Sequence, residues 1–177
     1  MTDLNQVAGQ KRQEGIIEKT TDTLVVGAGQ AGVAMSEHLS THGVPHIVLE
    51  SKRIAEAWRT CRWDSLVANG PAWHDRFPGL EFDHDPDEFV PKEQVADYLE
   101  AYAEKINAPI CTGVEVKKVV RNTDRSGFTV ETSAGLIQAE RVVVATGPFQ
   151  RSVIPTIAPQ DDKLTQIHSA KYRNPEQ

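Results

Sequence analysis

The chain has 177 residues and a formal net charge of −6, with 39% hydrophobic and 25% charged residues. This is the composition of a globular protein long enough to bury a core, and an acidic chain without Lys/Arg runs has no basic face for nucleic acid. Apolar stretches of four or five residues are too short to cross a membrane, and the polar N-terminus lacks a secretory apolar region, so a cytoplasmic location is expected.

Residues 1–21 read as a flexible leader, with order expected from Thr23. Thr23-Leu24-Val25-Val26 is a short apolar run ending at Gly27, the pattern of a buried parallel strand. From Gln30 to His42 the period becomes helical, with Ala31, Ala34, Met35 and Leu39 predicted as the apolar stripe and Gly43 as a positive-φ stop. His46 to Glu50 is a second strand, which completes a β-α-β unit. Residues 51–90 read as a long irregular excursion with a helical turn near Ile54–Trp58, and such excursions are often functional. A helix follows Pro91, with Val95, Leu99, Tyr102 and Ile106 on one face, and Asn107 and Pro109 close it. Three short strands then predict an antiparallel meander: Val114 to Val120, Gly127 to Thr132 and Leu136 to Ala139. Val142-Val143-Val144-Ala145 is another buried parallel strand, ending at Thr146-Gly147. The tail from Pro148 has no strong period.

Gly27-Ala28-Gly29-Gln30-Ala31-Gly32 is a G-x-G-x-x-G set between a strand and a helix, the context that gives this otherwise weak pattern meaning. Gly27 allows the tight turn, Gly29 lets a pyrophosphate approach the backbone, and Gly32 lets helix and sheet pack closely. The helix N-terminus offers free N–H groups and a positive dipole end to phosphate. Glu50, 23 residues after Gly27, ends the second strand, where an acid accepts hydrogen bonds from ribose hydroxyls and repels a 2′-phosphate. The ligand expected from these residues is FAD or NAD.

The order of loop, helix and meander before the next parallel strand is that of flavoproteins that bind two dinucleotides. From about Thr23 onward the chain resembles the class B flavoprotein monooxygenases, the flavin-containing and Baeyer–Villiger enzymes, and most of all their bacterial CzcO-type branch. Gly27, Gly29, Gly32 and Glu50 fit the family's FAD fingerprint. Trp58-Arg59, followed by Arg62-Trp63-Asp64-Ser65-Leu66, resembles the segment along the flavin, which implies that Trp58 or Arg59 contacts FAD. Asn69 matches a position near the isoalloxazine ring and stands as the catalytic candidate. Val116 falls where a backbone group holds the adenine, and Ala145-Thr146-Gly147 matches a loop beside the cofactor. His168 and Tyr172 resemble half of the family signature; its Phe-x-Gly half is absent, and Ala55 replaces a usual glycine.

The resemblance implies an α/β, Rossmann-like FAD/NAD(P)-binding domain with an inserted antiparallel β-meander, over residues 22–150. It also implies an FAD-dependent monooxygenase reduced by NADPH. The twelve glycines contain no second cluster for NADPH. The expectation is therefore a truncated or split relative, in which 151–177 lead toward an absent NADPH-binding domain and no NADPH-binding residue is assigned. Its partners would be an unidentified small-molecule substrate and a second copy or complementing chain. An NAD-dependent dehydrogenase domain and an inactive FAD-binding remnant are the rival readings.

Blander roles compete at single positions. Arg59 and Arg62 are also readable as ion-paired loop anchors, Asn69 as a turn residue and His168 as a linker residue. Trp63, Trp73 and Phe77 are readable as a small core under the loop. His38 and His42 are four apart on a helix, but no carboxylate or cysteine cluster joins them, so no metal site is expected. Cys61 and Cys111 are read as free thiols.

Overall fold

A computed structural model describes residues 18–148, 151–155 and 165–177. Its elements in chain order are β1 (Glu18–Val26), α1 (Gln30–Thr41), β2 (His46–Glu50), α2 (Glu56–Thr60), β3 (Val67–Pro71) and α3 (Ala72–Asp75). They continue with β4 (Phe89–Pro91), α4 (Lys92–Lys105), β5 (Ile110–Thr112), β6 (Val116–Arg121), β7 (Phe128–Thr132) and β8 (Gly135–Val144). One sheet has six strands in the order β5-β2-β1-β8-β7-β6, and a second pairs β3 with β4. The chain divides into two compact units where the sequence predicts one domain over 22–150. The first comprises the described residues up to Ile54 with Ile106–Thr146; the second comprises Ala55–Lys105 with the described residues from Gly147 onward.

In the first unit, β1 pairs in parallel with both β2 and β8, and β2 pairs in parallel with β5. β6, β7 and β8 form the antiparallel side. The third meander strand and the last parallel strand, expected to be separate, are one continuous strand. Leu136–Ala139 of β8 lie between β7 on one side and Glu18–Thr21 on the other. The same pairing explains why β1 begins at Glu18 and not at Thr23. Residues 18–21 carry no apolar signal and gain strand geometry from a partner more than a hundred residues away; the rest of the expected leader, 1–17, lies outside the described residues.

Side chains alternate across this sheet as its period of two requires. Leu24 and Leu49 join Val130, Ile137 and Ala139 in one core cluster, whereas Val25 and Val48 join Ala28 in another that includes Met35 and Leu39 of α1. Leu24, Val25, Val33, Val48 and Val130 are fully buried, and each contributes about 1.5–3 kcal/mol relative to exposure. The buried residues of α1 are Gly32, Val33 and Ser36, so its inner face is rotated from the expected Ala31–Ala34–Met35–Leu39 stripe and Ala31 is exposed. Contact at Gly32 brings that side of the helix onto the sheet. Buried Ser36 bonds to Nε2 of His46 at 2.8 Å, and Nδ1 of that ring meets the Val44 carbonyl at 3.0 Å. The helix stops as expected: Gly43 has φ 66°, and the Val44 amide returns to the Leu39 carbonyl at 2.8 Å.

The second unit gives the excursion of 51–90 regular structure: α2, α3 and the β3–β4 pair. α4 buries Val95, Leu99 and Tyr102 as its period predicts, and Asn107, just beyond it, is left-handed at φ 50°. The Tyr98 hydroxyl accepts from the Phe77 amide at 2.6 Å and donates to the Leu80 carbonyl at 2.9 Å, while its ring stacks on Phe82 at 3.9 Å. Burial pushes this phenol's pKa up. Phe77 also meets Tyr102 edge-on at 4.9 Å. Phe77 therefore does anchor a small aromatic core, but Trp63 and Trp73, which are 37% and 54% exposed, do not belong to it. No helix among the described residues is long and apolar enough to cross a membrane.

Candidate dinucleotide site

The three motif glycines answer to three different constraints. Gly27 has φ 105°, and a Cβ there would lie 2.5 Å from the Ala145 carbonyl oxygen, so both conformation and space require glycine. A Cβ on Gly32 would fall 1.8 Å from the Gly27 carbonyl oxygen, and its absence lets α1 rest on the end of β1. A Cβ on Gly29 would meet nothing within 4 Å. Among the described residues no contact demands glycine there.

The loop is pinned at several points. The Gly27 amide donates to the Leu49 carbonyl at 2.7 Å, and the Ala145 amide to the Val26 carbonyl at 2.8 Å. Gly29 is the N-cap of α1 and supplies no side-chain cap to the first turn. An uncapped helix start with its positive dipole end is suited to an anion.

Glu50 is the acidic counterpart. Its Oε2 accepts from the Ala28 amide at 2.9 Å. Its Oε1 accepts from the Lys52 amide at 2.9 Å and the Ser51 hydroxyl at 3.2 Å. Three donors leave acceptor capacity on a carboxylate that offers about four positions, and the exposed Ser51 hydroxyl is one a ribose hydroxyl can replace. The backbone carbonyl of Glu50 also accepts from the Val114 amide at 3.0 Å. Sequence reasoning found Glu50 but not Ser51, Lys52 or Val114, whose parts are played mostly by backbone atoms.

The structure thus brings Gly27, Ala28, Gly29, Gln30, Ala31, Gly32, Glu50, Ala145 and Thr146 to the C-terminal ends of β1, β2 and β8 in one unit. Ala28 has its side chain in the core and its amide on Glu50, while Gln30 and Ala31 are exposed on the first turn. Val116 opens β6, an edge strand whose register shifts between Val116 and Lys118. Gly147 is left-handed at φ 77° with open space around its Cα.

Trp58, Arg59 and Asn69 belong to the second unit. Arg59 bonds Asp97 at 2.7 Å and Glu100 at 2.9 Å, tying α2 to α4, which is the anchoring role weighed for it. The Arg62 guanidinium lies 5.6 Å from the Trp58 ring centroid. Asn69 is exposed in β3. Nδ1 of His168 accepts from the Ala170 amide at 3.1 Å, within a turn. His38 stands 70% exposed beside Glu37, and the described residues contain no group of three or more metal-ligating side chains.

A mixed sheet with a glycine-lined helix start and an acid at the end of the adjoining parallel strand defines a Rossmann-like α/β fold. The profile described as pyridine nucleotide-disulphide oxidoreductase matches residues 24–177, and the chain belongs to that family. It is 41% identical over 163 residues to an uncharacterised CzcO-like oxidoreductase of Geobacillus kaustophilus, across 91% of this chain and 46% of the relative. It is 29% identical to a probable indole-3-pyruvate monooxygenase of Arabidopsis thaliana, across 85% of this chain and 37% of that protein. Among solved structures, a variant flavin monooxygenase of Stenotrophomonas maltophilia superposes with a TM-score of 0.78 at 25% identity, across 89% of this chain and 47% of the other. The resemblance to the flavin monooxygenases drawn from the motifs therefore holds, and the chain spans about half the length of the relatives it matches.

Proposed function

We propose that the chain holds FAD and is the flavin-binding portion of an NAD(P)H-using monooxygenase. The observation that carries this reading is the Glu50–Ala28 hydrogen bond of 2.9 Å. It fixes the ribose-binding acid to the loop that cradles the pyrophosphate, so both halves of an adenosine diphosphate are met by one rigid element.

In this reading the Gln30, Ala31 and Gly32 amides at the α1 N-terminus face the pyrophosphate, and Gly29 leaves it room. Glu50 takes the ribose hydroxyls, and the Val116 backbone serves the adenine. Ala145, Thr146 and Gly147 are cofactor-side loop residues. Trp58 and Asn69 are proposed by family resemblance, each to be tested by its own substitution. Bound flavin supplies the redox chemistry; the chain supplies position, electrostatics and exclusion of water. NADPH is proposed as the reductant of the whole enzyme, without assigned residues here.

NAD is the second reading, because the adenosine diphosphate half is common to both dinucleotides. Calorimetric titration of the purified chain with FAD, NAD and NADP separates the two. Binding of FAD with NAD at least tenfold weaker supports the flavin reading; binding of NAD alone overturns it.

A further inference from the structure

The second unit contains a contact between segments far apart in the chain that the dinucleotide site does not use. Arg173 directs its guanidinium at the end of α2. Nη2 donates to the Thr60 carbonyl at 2.6 Å, and Nη1 to the Arg62 carbonyl at 3.3 Å, across separations of 113 and 111 residues. Nη1 also meets its own segment, at the Ala170 carbonyl (3.2 Å) and the Tyr172 carbonyl (2.9 Å). The contact is reciprocal: the Asp64 amide donates to the Arg173 carbonyl at 2.8 Å, and Nδ2 of Asn174 donates to Oδ2 of Asp64 at 2.7 Å.

We propose that residues 165–177 form a latch, bolted by Arg173, that sets the conformation of residues 60–64 and of the Arg62–Trp58 pair they carry. Thr60 ends α2, where outward carbonyls lack helical partners and attract a cation. A guanidinium is suited to this because its planar fork reaches carbonyls on both sides of Cys61 at once, which an ammonium does not do. Because Arg62 lies over the Trp58 ring, its backbone anchor fixes that stacking, and movement of the downstream segment is transmitted to the tryptophan.

The test is amide hydrogen exchange on the whole 177-residue chain, with Arg173→Ala, Arg173→Lys and Asn174→Ala beside the parent. In Arg173→Ala the Asp64 amide and those of 170–172 exchange about tenfold faster or more, the scale of losing charge-assisted hydrogen bonds, while β1 and β2 keep their protection. Arg173→Lys recovers only part of it, and Asn174→Ala gives a smaller change confined to the Asp64 side. Tryptophan emission shifts in Arg173→Ala, and the shift disappears when Trp58→Phe is added. An Asp64 amide that exchanges at the parent rate in Arg173→Ala, or full recovery by lysine, overturns the latch. If Arg173→Ala fails to fold, Asn174→Ala decides: unchanged exchange at Asp64 counts against the proposal.

Discussion

The Ala28 amide and the Glu50 carboxylate meet at 2.9 Å across 22 residues of sequence, so the acid at the end of β2 holds the glycine loop. A hydrogen bond to a charged group contributes about 1.5–3 kcal/mol. Glu50→Ala removes it together with the proposed ribose contact, and FAD affinity should fall about a hundredfold. Glu50→Gln keeps one acceptor for Ala28 but brings an amide donor toward the Lys52 amide, and should fall about tenfold. Calorimetric titration checks both values.

Gly29 and Gly32 should respond to alanine in opposite ways. Gly29→Ala places its methyl in open space at a permitted φ of −81°, so stability should change by no more than about 1 kcal/mol while FAD affinity drops tenfold or more. Gly32→Ala drives a methyl into the Gly27 carbonyl and should cost about 3 kcal/mol or more. Chemical denaturation beside FAD titration reads both effects.

Ala55 is left-handed at φ 58° and 1% exposed. The left-handed region costs a non-glycine residue about 1–2 kcal/mol, and a buried methyl returns about 0.8 kcal/mol. Ala55→Gly should therefore be nearly neutral, whereas Ala101→Gly on the exposed side of α4 should cost about 1 kcal/mol. Melting of the two variants side by side gives the comparison.

Two carboxyls titrate below their ordinary range. The Arg141 hydrogen bond, 2.5 Å long, lowers the pKa of Asp22, and the Lys92 hydrogen bond, 2.7 Å long, lowers that of Glu93. A depressed folded-state pKa gives stability that is present above the unfolded value, near 4, and is lost as the pH falls through the folded value. Asp22→Asn should thus lower the melting temperature slightly at pH 7 and converge with the parent on acidification below about pH 4. Both acids are partly exposed, so salt should shrink the difference.

The β-α-β unit was legible because its signals are local: an apolar run, glycines at fixed spacing and a terminal acid lie within 30 consecutive positions. β8 was not, because Glu140 and Arg141 interrupt its apolar pattern and its continuity comes from neighbours on both edges. Glu18–Thr21 and the Ile110–Thr112 strand likewise depend on distant pairing. The binding part of Glu50 could be read from its place, but its bond to Ala28 could not, since a backbone amide leaves no mark in sequence. Arg173 escapes notice for a related reason: its guanidinium bonds the backbone carbonyls of Thr60, Arg62, Ala170 and Tyr172, and every residue has a carbonyl.

The flavin assignment is tested most directly by the visible absorbance of the purified chain, with identification of any flavin released on denaturation. Bound flavin that is FAD is expected, or full uptake of added FAD by a colourless preparation that is folded by circular dichroism. A folded, colourless chain that refuses FAD and binds NAD would contradict it.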